Sequence, residues 1–323
     1  MSLIIEPKNN NMKKQILLLS GITALLFSTV KAQKADSIRA KAIYAFTHIK
    51  DTTQRDKTVS EEMVLLLGSK TSAYLSMDKI RFDLQRKKDI EEQIKNSVPG
   101  KLSINIKANP KSVTNDEFYQ YPADKKIIIK KKLVNNYLIE EPLPEINWNI
   151  SSDTITISGL KCQKAIAHFK GRNYTAWFCP DLPFQSGPWK LNGLPGLILE
   201  AYDAKQEVVF KFQGFEKVHN TTPVNEEAES AIGGISISGK VKISGLSSAE
   251  LLNSPTFYLP KGSIKTTQKE FDKLNEAMKK DPDGFINSSM AAEGRMTSGR
   301  RTTSKTTIIT ETENNPIELA EVK

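Results

Sequence analysis

Two cysteines, Cys162 and Cys179, are the side chains best suited to covalent chemistry in this sequence. They flank a segment that predicts a β-hairpin, with its turn near Lys170-Gly171-Arg172. A strand register centred between Lys170 and Gly171 places the two cysteines directly opposite each other, whereas a register shifted by one residue does not. A disulfide between them is therefore a candidate that depends on this register, and the sequence leaves the bonded and unbonded states open.

Motifs for metal binding and catalysis are scarce. The three histidines lie on separate predicted elements, at His48, His168 and His219. With two cysteines they offer too few clustered ligands for a zinc site. The carboxylates of Glu140, Glu141 and Glu145 could supply the acid and nucleophile of glycoside chemistry, but a charged surface explains them more simply. We therefore expect no catalytic residue, no metal and no cofactor.

Residues 234–240 nearly match a phosphate-binding loop. Their sequence, Gly-Ile-Ser-Ile-Ser-Gly-Lys, is followed by Val241, where such a loop has the serine or threonine that holds magnesium. The apolar residues also alternate as they do in a strand. We therefore predict a strand at residues 235–243 rather than a nucleotide site.

Four aromatic side chains fall within a short stretch, at Trp177, Phe178, Phe184 and Trp189. Two interpretations are open. As core residues, they would anchor their strand to the loop that follows it. As a binding surface, they would line a groove for an apolar ligand, a peptide or a glycan, with Lys190 at a polar end.

The loop at residues 186–196 is rich in turn-forming residues. It contains three turn dipeptides, namely Gly187-Pro188, Asn192-Gly193 and Pro195-Gly196. Pro195 can fix the first φ of a type II turn, and Gly196 can adopt the positive φ of the second position. The chain is therefore predicted to fold back tightly and to start a strand near Leu197.

The same loop carries a resemblance to a known family. Its end spells the sequence for which the GLPGLI family is named, a group of exported bacterial proteins without an established biochemical role. The signature comprises Gly187, Pro188, Gly193, Leu194, Pro195, Gly196, Leu197 and Ile198. Other similar segments are residues 159–165 (with Leu160 where the family usually has an aromatic residue), 171–178 and 315–319, and a first strand containing Tyr44 and Asp51. The resemblance covers residues 40–319 and implies membership and export, not a mechanism.

The N-terminal residues predict export. A positive start at Met12-Lys13-Lys14 precedes an apolar run over residues 15–30 and small residues that end at Ala32, which is typical of a signal peptide. We predict a signal peptide within residues 1–32 after a short upstream extension; a retained N-terminal helix is the alternative. The run is short for a membrane span, so no span is expected after cleavage. Export favours the periplasm, with the outer membrane or the medium as alternatives.

The charge of the chain bears on its partners. The full chain has a net charge of +9, which falls to +6 when the four lysines and one glutamate of residues 1–32 are removed. A basic surface can meet nucleic acid, anionic lipid or acidic glycan, although a solvated basic face explains it more simply. For an exported chain we predict no nucleic-acid partner.

Strand patterns dominate the exported part. We predict strands at residues 42–49, 61–68 and 71–83, a short helix at residues 84–97, and further strands between residues 125 and 215. A capping box at Thr267 and Glu270 begins a helix that ends at Pro282. The expected fold is mainly β (α+β), with an antiparallel, strongly curved sheet or open barrel and a few covering helices.

These patterns divide the chain into three regions. The signal peptide occupies residues 1–32, and a β-rich GLPGLI-type domain occupies residues 33–286 with an irregular, mobile insertion near residues 84–122. A tail rich in Ser, Thr and Arg follows at residues 287–323, with a candidate last strand at residues 307–310.

The expected function follows from what accompanies the family signature. An aromatic cluster is present and a recognisable catalytic set is missing, so we expect a non-enzymatic binding or interaction protein of the cell envelope. Its partner would be an apolar ligand or an envelope protein, for example one linked to outer-membrane transport. A hydrolase of envelope polymers and a purely structural protein are the alternatives.

Overall fold

One open sheet of twelve strands organises the part of the chain that the computed structural model describes, namely residues 35–97, 105, 113–218, 247–292 and 313–321. The strands are β1 (Ala40–His48), β2 (Val59–Leu67), β3 (Ser72–Ser76), β4 (Glu117–Tyr121), β5 (Lys126–Lys132), β6 (Asn136–Pro142), β7 (Asn149–Ile157), β8 (Leu160–Phe169), β9 (Arg172–Cys179), β10 (Leu197–Asp203), β11 (Val208–Lys217) and β12 (Ile264–Thr266). The mainly β prediction is therefore confirmed.

The strands follow the order β12-β6-β5-β4-β3-β2-β1-β11-β10-β9-β8-β7 across the sheet. Neighbours pair antiparallel, except that β12 runs parallel to β6. The sheet is consequently mixed rather than wholly antiparallel. Its two ends, β12 and β7, are not joined to each other, so the sheet is open.

Four α-helices accompany the sheet within the described ranges. They are α1 (Met77–Lys95), α2 (Ser247–Leu252), α3 (Gln268–Lys280) and α4 (Pro282–Ala292). The predicted capping box starts α3: the hydroxyl of Thr267 accepts a hydrogen bond from the Glu270 N–H, and the Glu270 carboxylate accepts one from the Thr267 N–H.

The two faces of the sheet have separate cores. In β1 every second residue is buried, from Ala40 to His48, and this face contributes to the main core together with β8 to β11. Val64 and Leu66 of β2 belong instead to a second cluster that includes Ile80 of α1 and Leu251 of α2. These helices cover the opposite face, which explains why the end of β2 is an unbroken apolar run.

The third predicted strand, residues 71–83, is wrong in its second half. β3 ends at Ser76, and α1 begins at the next residue and includes most of the helix predicted from residue 84. The Ser76 hydroxyl caps α1 by accepting a 2.9 Å hydrogen bond from the Lys79 N–H. Ile80 is buried in the second core cluster, and Met77, three residues earlier, packs against the same cluster. The apolar positions here therefore follow a helical period rather than the alternation of a strand.

Two predicted boundaries also need correction. The insertion was expected to extend to residue 122, but β4 pairs with β3 and β5 and is an integral strand. The tail was expected from residue 287, which lies inside α4. The helix that was predicted to end at Pro282 does end just before it, because α3 stops at Lys280. Pro282 is itself the first residue of α4, where the missing N–H of proline costs nothing.

Several predictions concern residues outside the described ranges. These are the signal peptide at residues 1–32, the strand at residues 235–243, the candidate strand at residues 307–310, and His219. In the ranges that are described, no helix has the length and apolar character needed to cross a membrane.

Candidate functional site

The signature loop, residues 186–196, depends on a glycine where the backbone approaches another strand. A Cβ added to Gly196 would lie 2.3 Å from the carbonyl oxygen of Cys179, at the end of β9. The φ of Gly196 is 155°, not the value of about +80° expected for the second position of a type II turn. The Gly196 N–H instead donates to the Leu194 carbonyl at 2.8 Å. The turn is therefore tighter than the sequence predicted.

Hydrogen bonds fix the signature loop to distant parts of the chain. The Ser186 hydroxyl donates to the hydroxyl of Ser72 in β3 at 2.8 Å, and the Gln120 amide of β4 donates to the Trp189 carbonyl at 3.0 Å. The Trp148 indole, in the connection from β6 to β7, donates to the Asn192 carbonyl at 2.8 Å. The loop is thus anchored to three segments.

The aromatic residues around the loop belong largely to the main core. Trp189 is only 3% exposed, and its ring lies 5.5 Å from Phe169 and 6.5 Å from Phe210. Phe178 is fully buried in the same core, and the half-buried Phe184 packs against Phe215. For these residues the packing matches the core interpretation.

Trp177 lies on the other face of β9. Its neighbours Ala176 and Phe178 are buried, whereas Trp177 is half-buried and pairs in register with Glu200 of β10. The Lys164 ammonium lies 5.9 Å from the centre of its ring, within the range of a cation–π contact. The structure therefore does not bring the five predicted binding residues to one groove.

Lys190, the fifth of these residues, is buried and ion-paired. Its Nζ lies 2.6 Å from a carboxylate oxygen of Glu318 and 3.6 Å from one of Glu141. Burial alone would raise the pKa of Glu318, but the hydrogen bonds and charges of Lys190 and Lys170 outweigh it and lower that pKa. Lys190 thus links the signature loop to residues 313–321, which we call the C-terminal segment.

The two cysteines are buried thiols on neighbouring strands. The register of β8 and β9 pairs His168 with Asn173 and continues to Gln163 opposite Phe178, which is the first of the two registers that the sequence left open. One further step places Cys162 opposite Cys179. Burial and the neighbouring Cys179 raise the pKa of the Cys162 thiol to about 12. The geometry suits a cross-strand disulfide, which stays a prediction.

The described histidines contact the C-terminal segment. The Nε2 of the buried His48 lies 2.8 Å from the Asn315 carbonyl oxygen, and burial lowers the pKa of this imidazole. His168 is exposed, and its ring nitrogens lie 2.7 Å from the Asn173 side chain and 2.8 Å from the Glu321 carboxylate. Hydrogen bonds to Asn173 and Glu321 raise the pKa of His168.

The predicted carboxylates do not form a catalytic pair. Glu140 lies 3.9 Å from the Lys126 ammonium, and Glu141 contacts Lys190. Glu145 is exposed. Within the residues that the structure describes, no group of three or more histidines, cysteines or carboxylates could hold a metal ion.

Sequence reasoning did not identify the buried arginine, Arg172, whose side chain holds the C-terminal segment. Arg172, at the start of β9, has a side chain that is 2% exposed. Its guanidinium donates to the carboxylates of Asp203 (2.9 Å) and Glu207 (3.3 Å). It also donates to the Asn315 side chain at 2.6 Å and to the carbonyls of the next two residues at 2.7 and 3.0 Å. The alternation of β9 could have revealed it, because Arg172 falls on the buried face.

Comparisons with known proteins add little to this geometry. A family described as a protein of unknown function (Porph_ging) matches residues 168–200, which include the β8–β9 turn, β9 and the signature loop. No curated protein matches the chain.

Two solved structures of PNGF-II are similar to part of the chain. One, in space group P21, has 12% identity and a TM-score of 0.39 over 58% of this chain; the other, in space group C2, has 13% identity and a TM-score of 0.44 over 73%. The matches span only 29% and 32% of those chains.

Proposed function

We propose that this chain is an exported, non-enzymatic binding or interaction protein of the cell envelope and a member of the GLPGLI family. The signal-peptide pattern within residues 1–32 and the signature loop support this proposal. The periplasm is the expected location, with the outer membrane or the medium as alternatives. The partner is an apolar ligand or an envelope protein.

Exposed apolar side chains at one end of the sheet carry the proposal. Five large apolar side chains are exposed in the described ranges. Three of them lie on the two strands at the β7 end of the sheet: Ile150 and Ile155 on β7 and Ile166 on β8. Ile150 pairs with Ala165 of β8 whereas Ile166 pairs with Asn149 of β7, so Ile150 and Ile166 lie on opposite faces of the sheet beside the β7 edge. We call these three residues, which flank that edge on both faces, the isoleucine patch. β7 also ends the sheet, so one of its edges has no strand partner among the described residues. Exposed apolar side chains beside an open edge favour contact with a partner.

The filled core supports a partner at the outer surface rather than a ligand inside the sheet. The signature loop places Trp189, Leu191 and Leu194 in the main core, all with negligible exposure. A protein interior packed in this way leaves little space for a ligand. The isoleucine patch remains accessible, so the proposed contact is there.

We also infer that the sheet is strongly curved. β6 and β7 lie ten strand positions apart, which corresponds to about 48 Å in a flat sheet. They are joined by residues 143–148 alone, and a connection of this length spans about 25 Å at most. The ends of the sheet must therefore approach each other.

Native mass spectrometry of protein purified from envelope fractions without denaturation tests the proposed function. We expect a co-purifying ligand or partner, and a mature mass consistent with cleavage near Ala32. The variant Ile150→Ser/Ile155→Ser/Ile166→Ser should lose the bound species. A matched control, Leu84→Ser/Ile264→Ser, removes the two exposed apolar side chains elsewhere and should keep it.

Two outcomes would contradict the proposal. A bare, uncleaved mass for all three proteins would argue against both export and binding. A bound species that survives in the isoleucine variant would place the contact elsewhere. The hydrolase alternative gains no support from the described contacts of His48 and His168, which hold the C-terminal segment.

A further inference from the structure

Four basic side chains lie close together between α1 and the end of β5. Lys130 and Lys132 are two positions apart on β5, so they point to the same face of the sheet, with Cα atoms about 7 Å apart. Lys79 and Arg86 come from α1, which covers that face, and their charges act on Lys132 together with that of Lys130. We call Lys79, Arg86, Lys130 and Lys132 the cationic cluster.

The inner part of the cluster is paired with carboxylates. The Lys79 ammonium pairs with Asp83, one turn further along α1, and the Lys130 ammonium pairs with Glu117 of β4. These four side chains are all buried. Asp83 also lies 2.9 Å from an Nη of Arg86. Two carboxylates therefore accompany four cations, which leaves an excess of two positive charges.

Lys132 is the member of the cluster that lacks a carboxylate partner. The other lysines of β5 each have a carboxylate within 4.0 Å, namely Lys126, Lys130 and Lys131. Among the residues that the structure describes, none lies that close to Lys132, which is half-buried. Burial, followed by the charge of Lys79, lowers the pKa of Lys132, and the attraction of Asp83 does not outweigh them. A partly buried ammonium in this position is costly unless an anion neutralises it.

The outer part of the cluster is accessible to an anion. The side chain of Arg86 is 26% exposed and Lys132 is half-buried, whereas the side chain of Lys130 is only 4% exposed. Asp83 is the one carboxylate in the described ranges that contacts Arg86, so other N–H groups of its guanidinium can donate to a ligand. A phosphate group carries about −1.5 to −2 charges at pH 7, which matches the excess, and its oxygens accept from guanidinium and ammonium groups together.

We propose that the cationic cluster binds a phosphate group, with Arg86 and Lys132 as the direct contacts and with Lys79 and Lys130 as buried charges that attract it. The ligand class is a dianionic phosphate, which a lipid headgroup and free phosphate both offer. This inference goes beyond the proposed function, because β5 lies near the β12 end of the sheet and the isoleucine patch lies at the β7 end.

Isothermal titration calorimetry of the full chain with inorganic phosphate, at constant ionic strength, tests the site. Wild type should bind phosphate, and Lys132→Gln should bind it at least tenfold more weakly, because the variant loses one contact and one charge. The matched control is Lys131→Gln. Lys131 lies on the opposite face of β5 and pairs with Asp116 at 3.3 Å, so this variant should keep the wild-type affinity.

Thermal unfolding separates a loss of binding from a loss of folding. In chloride without phosphate, Lys132→Gln should be at least as stable as wild type, because it removes an uncompensated charge. Phosphate should raise the Tm of wild type and of the Lys131→Gln control, but not that of Lys132→Gln. A Lys132→Gln protein that is less stable than wild type in chloride would show that the chain itself neutralises Lys132, and would overturn the proposal.

Lipid vesicles identify the source of the phosphate. If a headgroup is the ligand, wild type should sediment with phosphatidylcholine vesicles that contain phosphatidic acid and not with pure phosphatidylcholine, and Lys132→Gln should sediment with neither. If free phosphate is the ligand, calorimetry should show binding without sedimentation. Wild type that binds neither probe, or binds both no better than Lys132→Gln, would contradict the proposed site. The isoleucine-patch variant should bind phosphate like wild type, so this inference and the proposed function can fail independently.

Discussion

Arg172 departs from the apolar pattern of its own strand. It precedes Tyr174, Ala176 and Phe178 on the buried face of β9, where a charge must find partners or lose stability. Five hydrogen-bond contacts satisfy its guanidinium. Its side-chain partners lie 31, 35 and 143 residues away in the sequence, so the strand pattern could indicate that Arg172 needs partners but could not identify them.

Cys162 and Cys179 should form a disulfide in protein recovered from an oxidising compartment. Their positions in the β8–β9 register are opposite, and both thiols are buried. A bond that closes a loop of this length stabilises the folded state by about 3 kcal/mol when the geometry is unstrained. Intact-mass measurement should show the loss of two hydrogens, and chemical denaturation should show a lower free energy of unfolding after reduction.

The single variant Cys162→Ser provides the control for this prediction. It should release one titratable thiol after unfolding, at Cys179, and its stability should resemble that of the reduced protein. Two free thiols in protein recovered from the same oxidising compartment would contradict the predicted bond.

At the scale of elements, the signature loop is defined by its contacts more than by its turn type. Ser186 and Trp189 connect it to β3 and β4, and Asn192 connects it to the segment before β7. Trp189 itself has a positive φ of 56°, which is unusual for an aromatic residue and costs backbone energy. Burial of its ring against Phe169 and Phe210 offsets that cost.

Two glycines of the signature loop should respond differently to alanine. Gly196→Ala would place a Cβ against the Cys179 carbonyl, so we expect a loss of about 3 kcal/mol in the free energy of unfolding. Gly193→Ala meets no atom within 4 Å, but the φ of this residue is +88°, so only the backbone strain of about 1–2 kcal/mol should appear. Urea denaturation of the two variants measures the difference, and equal losses would refute the close approach at Gly196.

At the scale of the whole molecule, the proposed curvature of the sheet can be tested by the distance between strands at its two ends. β12 and β8 lie ten strand positions apart, or about 48 Å in a flat sheet. Spin labels at Ile264 and Ile166, both exposed side chains on these strands, should report a distance below about 35 Å if the sheet curves as the short β6–β7 connection requires.

A control pair makes this distance interpretable. Labels at Ile166 and Lys211 lie on β8 and β11, only three strand positions apart, and should give a short distance whether or not the sheet curves. A separation near 48 Å between Ile264 and Ile166, with the control pair short, would show that the sheet is flat.

Local patterns predicted the parts of the fold that depend on neighbours in sequence. The β8–β9 hairpin and its turn lie where the pattern predicted them, and the structure selects the first of the two registers that the sequence left open. Helix α3 begins at the predicted capping box. The prediction was wrong at residues 77–83, where a short apolar run fits both a strand and a helix. The sequence singled out the signature loop, but it could not separate Trp177 from Trp189, since the face each ring occupies depends on the packing around it.

By itself, the sequence determined a mainly β chain with a glycine-rich loop, because alternation and turn residues act over a few positions. Only the tertiary structure decided that Lys190 is buried against Glu318 and that Arg172 gathers carboxylates and the C-terminal segment. These contacts join residues far apart in the chain. Burying charges and amides costs free energy unless each finds a hydrogen-bonded partner, and no local pattern in the sequence identifies partners that are distant in the chain.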